Sequence, residues 1–144
     1  MFSSKLIFIK EAENMPLLQF NLVKNAWTKP QVKEILDIAY DVTLSAFNAP
    51  NGDRYQTVSY FDSDDLIMKD TGLGFQRTDK RILLNIRTRP RTNDEKIKFY
   101  QQFLAILQEK MGLDPHDLMV DMVENGDADW SFADGKPQFL TGDL

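Results

Sequence analysis

The chain has 144 residues, 42% hydrophobic and 27% charged, with a formal net charge of −5. That suits one domain with a buried core, and its acidity disfavours broad nucleic-acid binding, which needs a basic face. With no cysteine and one histidine, disulfides, thiolate or multi-histidine metal sites and cysteine nucleophiles are excluded.

Residues 1–14 carry one short apolar patch, LIFI, with no small-residue cleavage site after it, and read as neither signal nor transit peptide. No stretch approaches the roughly 20 apolar residues of a membrane span, so the expected location is the cytoplasm. Met15-Pro16 looks like a second beginning. PLLQFNLV then alternates, with Leu18, Phe20 and Leu22 on one face, as a half-buried strand does.

TKPQVKEILDIAYDVTLSAF predicts a helix. Thr28 and Gln31 form a capping box, Pro30 is tolerated in the first turn, and Val32, Ile35, Leu36, Ala39, Val42 and Phe47 recur at helical spacing. APNGD turns the chain into a strand, RYQTVSYF. A polar connection follows, in which GLGF (72–75) lacks the context of a phosphate loop and reads as turn glycines.

The pattern then returns. RILLNIRTR is a strand. TNDEKIKFYQQFLAILQEKMG is a helix with Thr92 and Glu95 as a second capping box and Gly112 as its stop. His116 falls on an exposed turn, LMVDMVE is a strand, and SFADGKPQF suits a small hairpin on Asp134-Gly135.

The chain therefore reads as an α+β domain over residues 15–144, made of two β-α-β units related by a pseudo-twofold, with a C-terminal hairpin and tail. Each unit has parallel strands, and the units join through their first strands, antiparallel. Two helices then cover one face of a four-stranded mixed sheet. The other face needs cover, which argues for oligomerisation. In that register Pro16 faces the end of the strand carrying IRTRPR.

Arg87, Arg89 and Arg91 are spaced by two, which in extended chain puts them on one side. A planar guanidinium binds carboxylate through two donors, so the cluster suits a carboxylate or phosphate clamp. On spacing alone, a solvated strand end near Asp94 and Glu95 is the commoner reading. Pro16 inside a chain is an ordinary strand-opening residue. At a free N-terminus it is a secondary amine, able to act as base, cationic donor or nucleophile. The tail brings Trp130, Phe132, Phe139 and Leu144 into a polar stretch, either as packing on the sheet or as an apolar wall over a site.

MPLLQFNLV, DRYQTVSYF, DTGLGF, RPR, FYQQFLAILQEKMGL and VENGDADWSFADGKPQFLTGDL together resemble the tautomerase superfamily, and within it the malonate semialdehyde decarboxylase branch. The resemblance runs from Met15 to Leu144. It implies a trimer of paired β-α-β units. It also implies a catalytic proline at Pro16, with Asp53, Arg89 and Arg91 beside it, and a hydrophobic wall of Trp130, Phe132, Phe139 and Leu144. Arg87 departs from the pattern.

The resemblance has no counterpart for residues 1–14, and an amide nitrogen at Pro16 would be without useful basicity. The expectation is therefore a working chain that starts at Pro16. Lys10-Glu11-Ala12 is encodable as a purine-rich ribosome-binding sequence ahead of the Met15 codon.

The implied reaction is cofactor-independent decarboxylation of a small 3-oxo acid such as malonate semialdehyde, with no metal. Keto–enol tautomerisation and hydration of unsaturated acids use the same parts. If residues 1–15 are retained, an inactive relative or a binding module is the alternative, with KLIFIK as an added edge strand or a cover for the site.

Overall fold

The computed structural model describes residues 16–144. The expectations for residues 1–14, including KLIFIK and the step from Met15, lie outside the described residues.

Four strands form one sheet: β1 (Pro16–Val23), β2 (Tyr55–Phe61), β3 (Ile82–Thr88) and β4 (Leu118–Glu124), in the order β2-β1-β3-β4. Within each unit the strands are parallel, β1 with β2 and β3 with β4, and the units meet through antiparallel β1 and β3. Helices α1 (Lys29–Phe47) and α2 (Asn93–Met111) are the crossovers, and a single-turn helix α3 (Gln138–Thr141) lies near the end of the tail.

Both helices start as their sequences require. Gln31 N–H donates to Thr28 Oγ1 and Thr28 N–H to Gln31 Oε1, and Thr92 and Glu95 repeat the exchange. Each reciprocal pair satisfies two amides that the first turn leaves without partners. The helix α2 stops at Gly112, whose φ of 65° is left-handed and whose N–H returns to Gln108 O at 3.1 Å.

The core lies between the helices and one face of the sheet. Leu18, Phe20 and Leu22 of β1 and Ile82, Leu84 and Ile86 of β3 point into it, against Ile35, Ala39 and Val42 of α1 and Phe99, Phe103 and Leu107 of α2. Phe47 stacks on Phe99 with ring centres 5.2 Å apart, so the end of α1 is fastened to the start of α2.

The opposite sheet face is mixed in character. Tyr55, Met119 and Val123 are exposed there, and Asn21 donates to Leu83 O and Asn85 Oδ1. Among the described residues no helix is long and apolar enough to cross a membrane.

The hairpin expected on Asp134-Gly135 is smaller than anticipated. The turn is present, with φ of 60° and 65° at its two central residues, but it closes only one bridge, Ala133 to Lys136. Pro137 then has no N–H to extend a ladder, and the chain enters α3 instead.

Candidate active site

The antiparallel register of β1 and β3 sets Pro16 opposite Thr88. The first residue of the central strand thus meets the last residue of β3, where the arginine-rich segment begins. Pro16 is buried. It shares a small cleft with Asp53, Tyr55, Tyr40 and Thr43, because β2 runs parallel to β1 and the loop before β2 ends at the same edge.

Asp53 is half-buried, and among the described residues its carboxylate has neither a hydrogen-bond donor nor a cation beside it. Its neighbour Arg54 is committed to Asp37 at 2.8 Å. Burial alone therefore pushes the Asp53 pKa up. A free Pro16 ammonium would supply the missing cation and pull it down again. Carboxyl NMR titration should find Asp53 above the ordinary aspartate range, near 3.9, in the full chain. In a chain starting at Pro16 it should titrate at lower pH. The same value in both would place the amine too far from Asp53 to matter.

The three arginines do not share a side, contrary to their spacing. The β3 strand ends at Thr88, so the two-residue alternation does not reach Arg91. Arg87 lies on the open face of the sheet, near Leu17, Asn85 and Asp121. Arg89 packs over the ring of Phe139, 4.0 Å from its centre, and pairs with Asp127 at 2.7 Å.

Arg91 turns back toward the helices and is 7% exposed. Its Nε donates to Thr88 Oγ1 and its Nη1 to Phe47 O, both at 2.9 Å, and the guanidinium stacks on the Phe47 ring. Its Nη2 is buried and, among the described residues, has no hydrogen-bond partner. Burial, reinforced by the charge of Arg89 and opposed by Glu95 and Glu124, lowers its pKa to about 10. A buried, still cationic donor without an acceptor is costly unless an anion arrives.

The tail builds the wall. Trp130 stacks on Phe132, Phe132 meets Phe139 edge-on, and Tyr55 lies 6.0 Å from Phe132. Trp130 is held from behind by its Nε1 donating to Asn125 Oδ1 at 2.7 Å. The aromatic series thus runs from Tyr55, in the Pro16 cleft, to Phe139, beneath Arg89. Leu144 is 48% exposed, its N–H bonded to Gln138 O at 3.4 Å.

Tyr55, Thr88, Phe47 and Asp127 were not singled out from sequence. Tyr55 follows directly on the Asp53-Arg54 pair, which was the available signal. Phe47 and Thr88 looked like ordinary core and strand residues.

GLGF is a turn, as read. Asp70 accepts the N–H groups of Gly72 and Gly74, so its own carboxylate fills the space a phosphate would need.

Two β-α-β units in one mixed sheet, with a proline opening a central strand beside a carboxylate, define the tautomerase fold. A family model described as tautomerase enzyme matches residues 53–133. A curated protein of Bacillus subtilis (strain 168), "Probable tautomerase YrdN", is 42% identical over 130 residues, covering 90% of this chain and 100% of that protein.

Among solved structures, malonate semialdehyde decarboxylase superposes with a TM-score of 0.84 at 43% identity, covering 89% of this chain and 98% of the other. That protein was solved as wild type, as a proline-to-alanine mutant and in an inactivated form, and was described as having decarboxylase and hydratase activities. FG41 malonate semialdehyde decarboxylase, inhibited by 3-bromopropiolate, superposes at 0.83 with 29% identity, covering 89% of this chain and 97% of the other. The chain belongs to the tautomerase family.

Proposed function

We propose that this protein decarboxylates a small 3-oxo acid of the malonate semialdehyde type, releasing an aldehyde and CO2 without a cofactor. The observation that carries the reading is that Pro16 and Asp53 line one cleft at the end of the sheet, and that Pro16 pairs with Thr88, whose Oγ1 accepts from the buried Arg91 guanidinium that has an Nη2 to spare. The similarity to malonate semialdehyde decarboxylase supports the choice of reaction.

Arg89 and Arg91 hold the substrate carboxylate and turn its C–C bond out of the carbonyl plane. The breaking bond then overlaps the π system, and such positioning supplies much of the rate. As that bond breaks, its electron pair forms a new C=C bond to the carbonyl carbon. The carbonyl π pair moves onto oxygen, which takes a proton from the Pro16 ammonium, or onto the nitrogen of a Pro16 iminium. Pro16 acts either as an ammonium hydrogen-bonded to the carbonyl oxygen or as an iminium. Asp53 keeps the amine cationic and oriented. The enol takes a proton at carbon and returns its O–H proton to Pro16, giving the aldehyde. The enamine takes a proton at carbon to become an iminium, which water hydrolyses to the aldehyde and the free Pro16 amine. The wall of Trp130, Phe132 and Phe139, with Leu144 from the tail, disfavours the charged carboxylate and favours neutral CO2. Tyr55, Met119 and Val123 on the open sheet face would be covered by neighbouring copies in a homotrimer.

Keto–enol tautomerisation is the second reading, favoured by the curated relative's name. It needs Pro16 as a neutral base. Malonate semialdehyde and phenylenolpyruvate, each given to a chain starting at Pro16, separate the two. Acetaldehyde and CO2 from the first, with Pro16 largely cationic at pH 7, is the expected result. Ketonisation alone, with Pro16 largely neutral, would replace decarboxylase by tautomerase.

A further inference from the structure

Arg89, assigned above to the substrate carboxylate, already holds a carboxylate. Asp127 Oδ1 lies 2.7 Å from its Nη2. The turn that carries Asp127 is closed by other groups. Gly126 N–H donates to Asp129 Oδ2 at 2.7 Å, and Asp129 N–H to Gly126 O at 3.0 Å. Trp130 is anchored by Asn125. None of these bonds uses the Asp127 carboxylate.

The Arg89 side chain is 12% exposed and that of Asp127 is 47% exposed. The guanidinium is therefore the fixed partner, seated on Phe139, and the carboxylate the one free to swing away. The other acids nearby are engaged elsewhere. Glu124 accepts the Arg91 backbone N–H and pairs with Lys96, and Glu95 caps its helix.

We propose that Asp127 is a specificity-determining residue. It stands on Arg89 in the place of a substrate carboxylate, and an incoming carboxylate must displace it. The inference rests on the reading of Arg89 as a carboxylate holder. Its chemistry is an exchange of one carboxylate for another on the same guanidinium, with no covalent step. Affinity for small carboxylates is held down by that competition. The negative charge left beside the site also selects monoanions over dianions.

The test is binding of propionate and malonate, measured by calorimetry on the full chain, for wild type, D127N, D127A, R89A and the D127N/R89A pair. D127N keeps the shape and removes the charge-assisted competitor, so propionate should bind about tenfold tighter. Malonate should gain more. D127A should follow D127N, which guards against an effect of the new amide. The gain should vanish when Arg89 is absent.

Unchanged or weaker binding in both Asp127 variants, a gain that persists without Arg89, or no binding in any protein would overturn the proposal. None of these readouts depends on turnover. Failure to release CO2 from malonate semialdehyde would refute the proposed reaction and leave this measurement standing. Binding indifferent to Asp127 would refute the competition whatever the reaction.

Discussion

A chain beginning at Pro16 should turn over malonate semialdehyde faster than the 144-residue chain by about 10²–10⁴-fold, the range a positioned acid or base supplies. Within the longer chain the Pro16 nitrogen is an amide. It carries no proton, has no basicity at neutral pH and cannot condense with a carbonyl. Released from Met15, it becomes a secondary amine in the cleft that also holds Asp53.

The β1–β3 ladder does not depend on the bond that is cut. Proline contributes no N–H to the β1–β3 ladder, so freeing its nitrogen removes no strand hydrogen bond. The measurement is acetaldehyde release by both chains at equal concentration, with thermal melts to confirm equal folding. Equal rates from the two would sink the free-proline mechanism.

Much of this arrangement is legible in the sequence. Two Thr-capped helices, each between strands of alternating pattern, are local signals, and both capping boxes form as read. The repeat of one unit then sets the pairing of β1 with β3, and that pairing brings Pro16 to Thr88. Long-range placement followed from symmetry and not from any single residue.

The arginines show where such reasoning stops. Spacing by two has meaning only while the backbone stays extended. Pro90, which interrupts the strand pattern, releases Arg91 to seek the Phe47 carbonyl and Thr88. Nothing local in RTRPR announces partners 44 residues away. Asp127 was hidden for a similar reason, since its significance lies in a contact across the chain and its neighbours in NGDAD look equally acidic.

That burial makes Arg91 the second position of large expected effect, and separates it from Arg89. Arg91→Ala should lower kcat/KM about a hundredfold or more, since bonds to a charged group are worth about 1.5–3 kcal/mol each. It should also lower stability by about 2–4 kcal/mol in urea unfolding, because the Phe47 carbonyl loses its donor and the stacked ring its partner.

Arg91→Lys should not restore either property. An ammonium lacks the planar fork that reaches Thr88 and Phe47 O while leaving the Nη2 group over. Arg89→Ala should lower kcat/KM comparably yet change stability by only about 1 kcal/mol, as expected for a pair whose acidic member is half exposed.

Ligand adds a third contrast. The buried Arg91 Nη2, without an acceptor among the described residues, opposes folding, so a bound carboxylate should raise the melting temperature of wild type, by occupying the native site alone. The same carboxylate should leave Arg91→Ala nearly unmoved. Full activity in Arg91→Ala, or a melting temperature that rises equally in both proteins, would show that the buried guanidinium is structural only and that the carboxylate is held elsewhere.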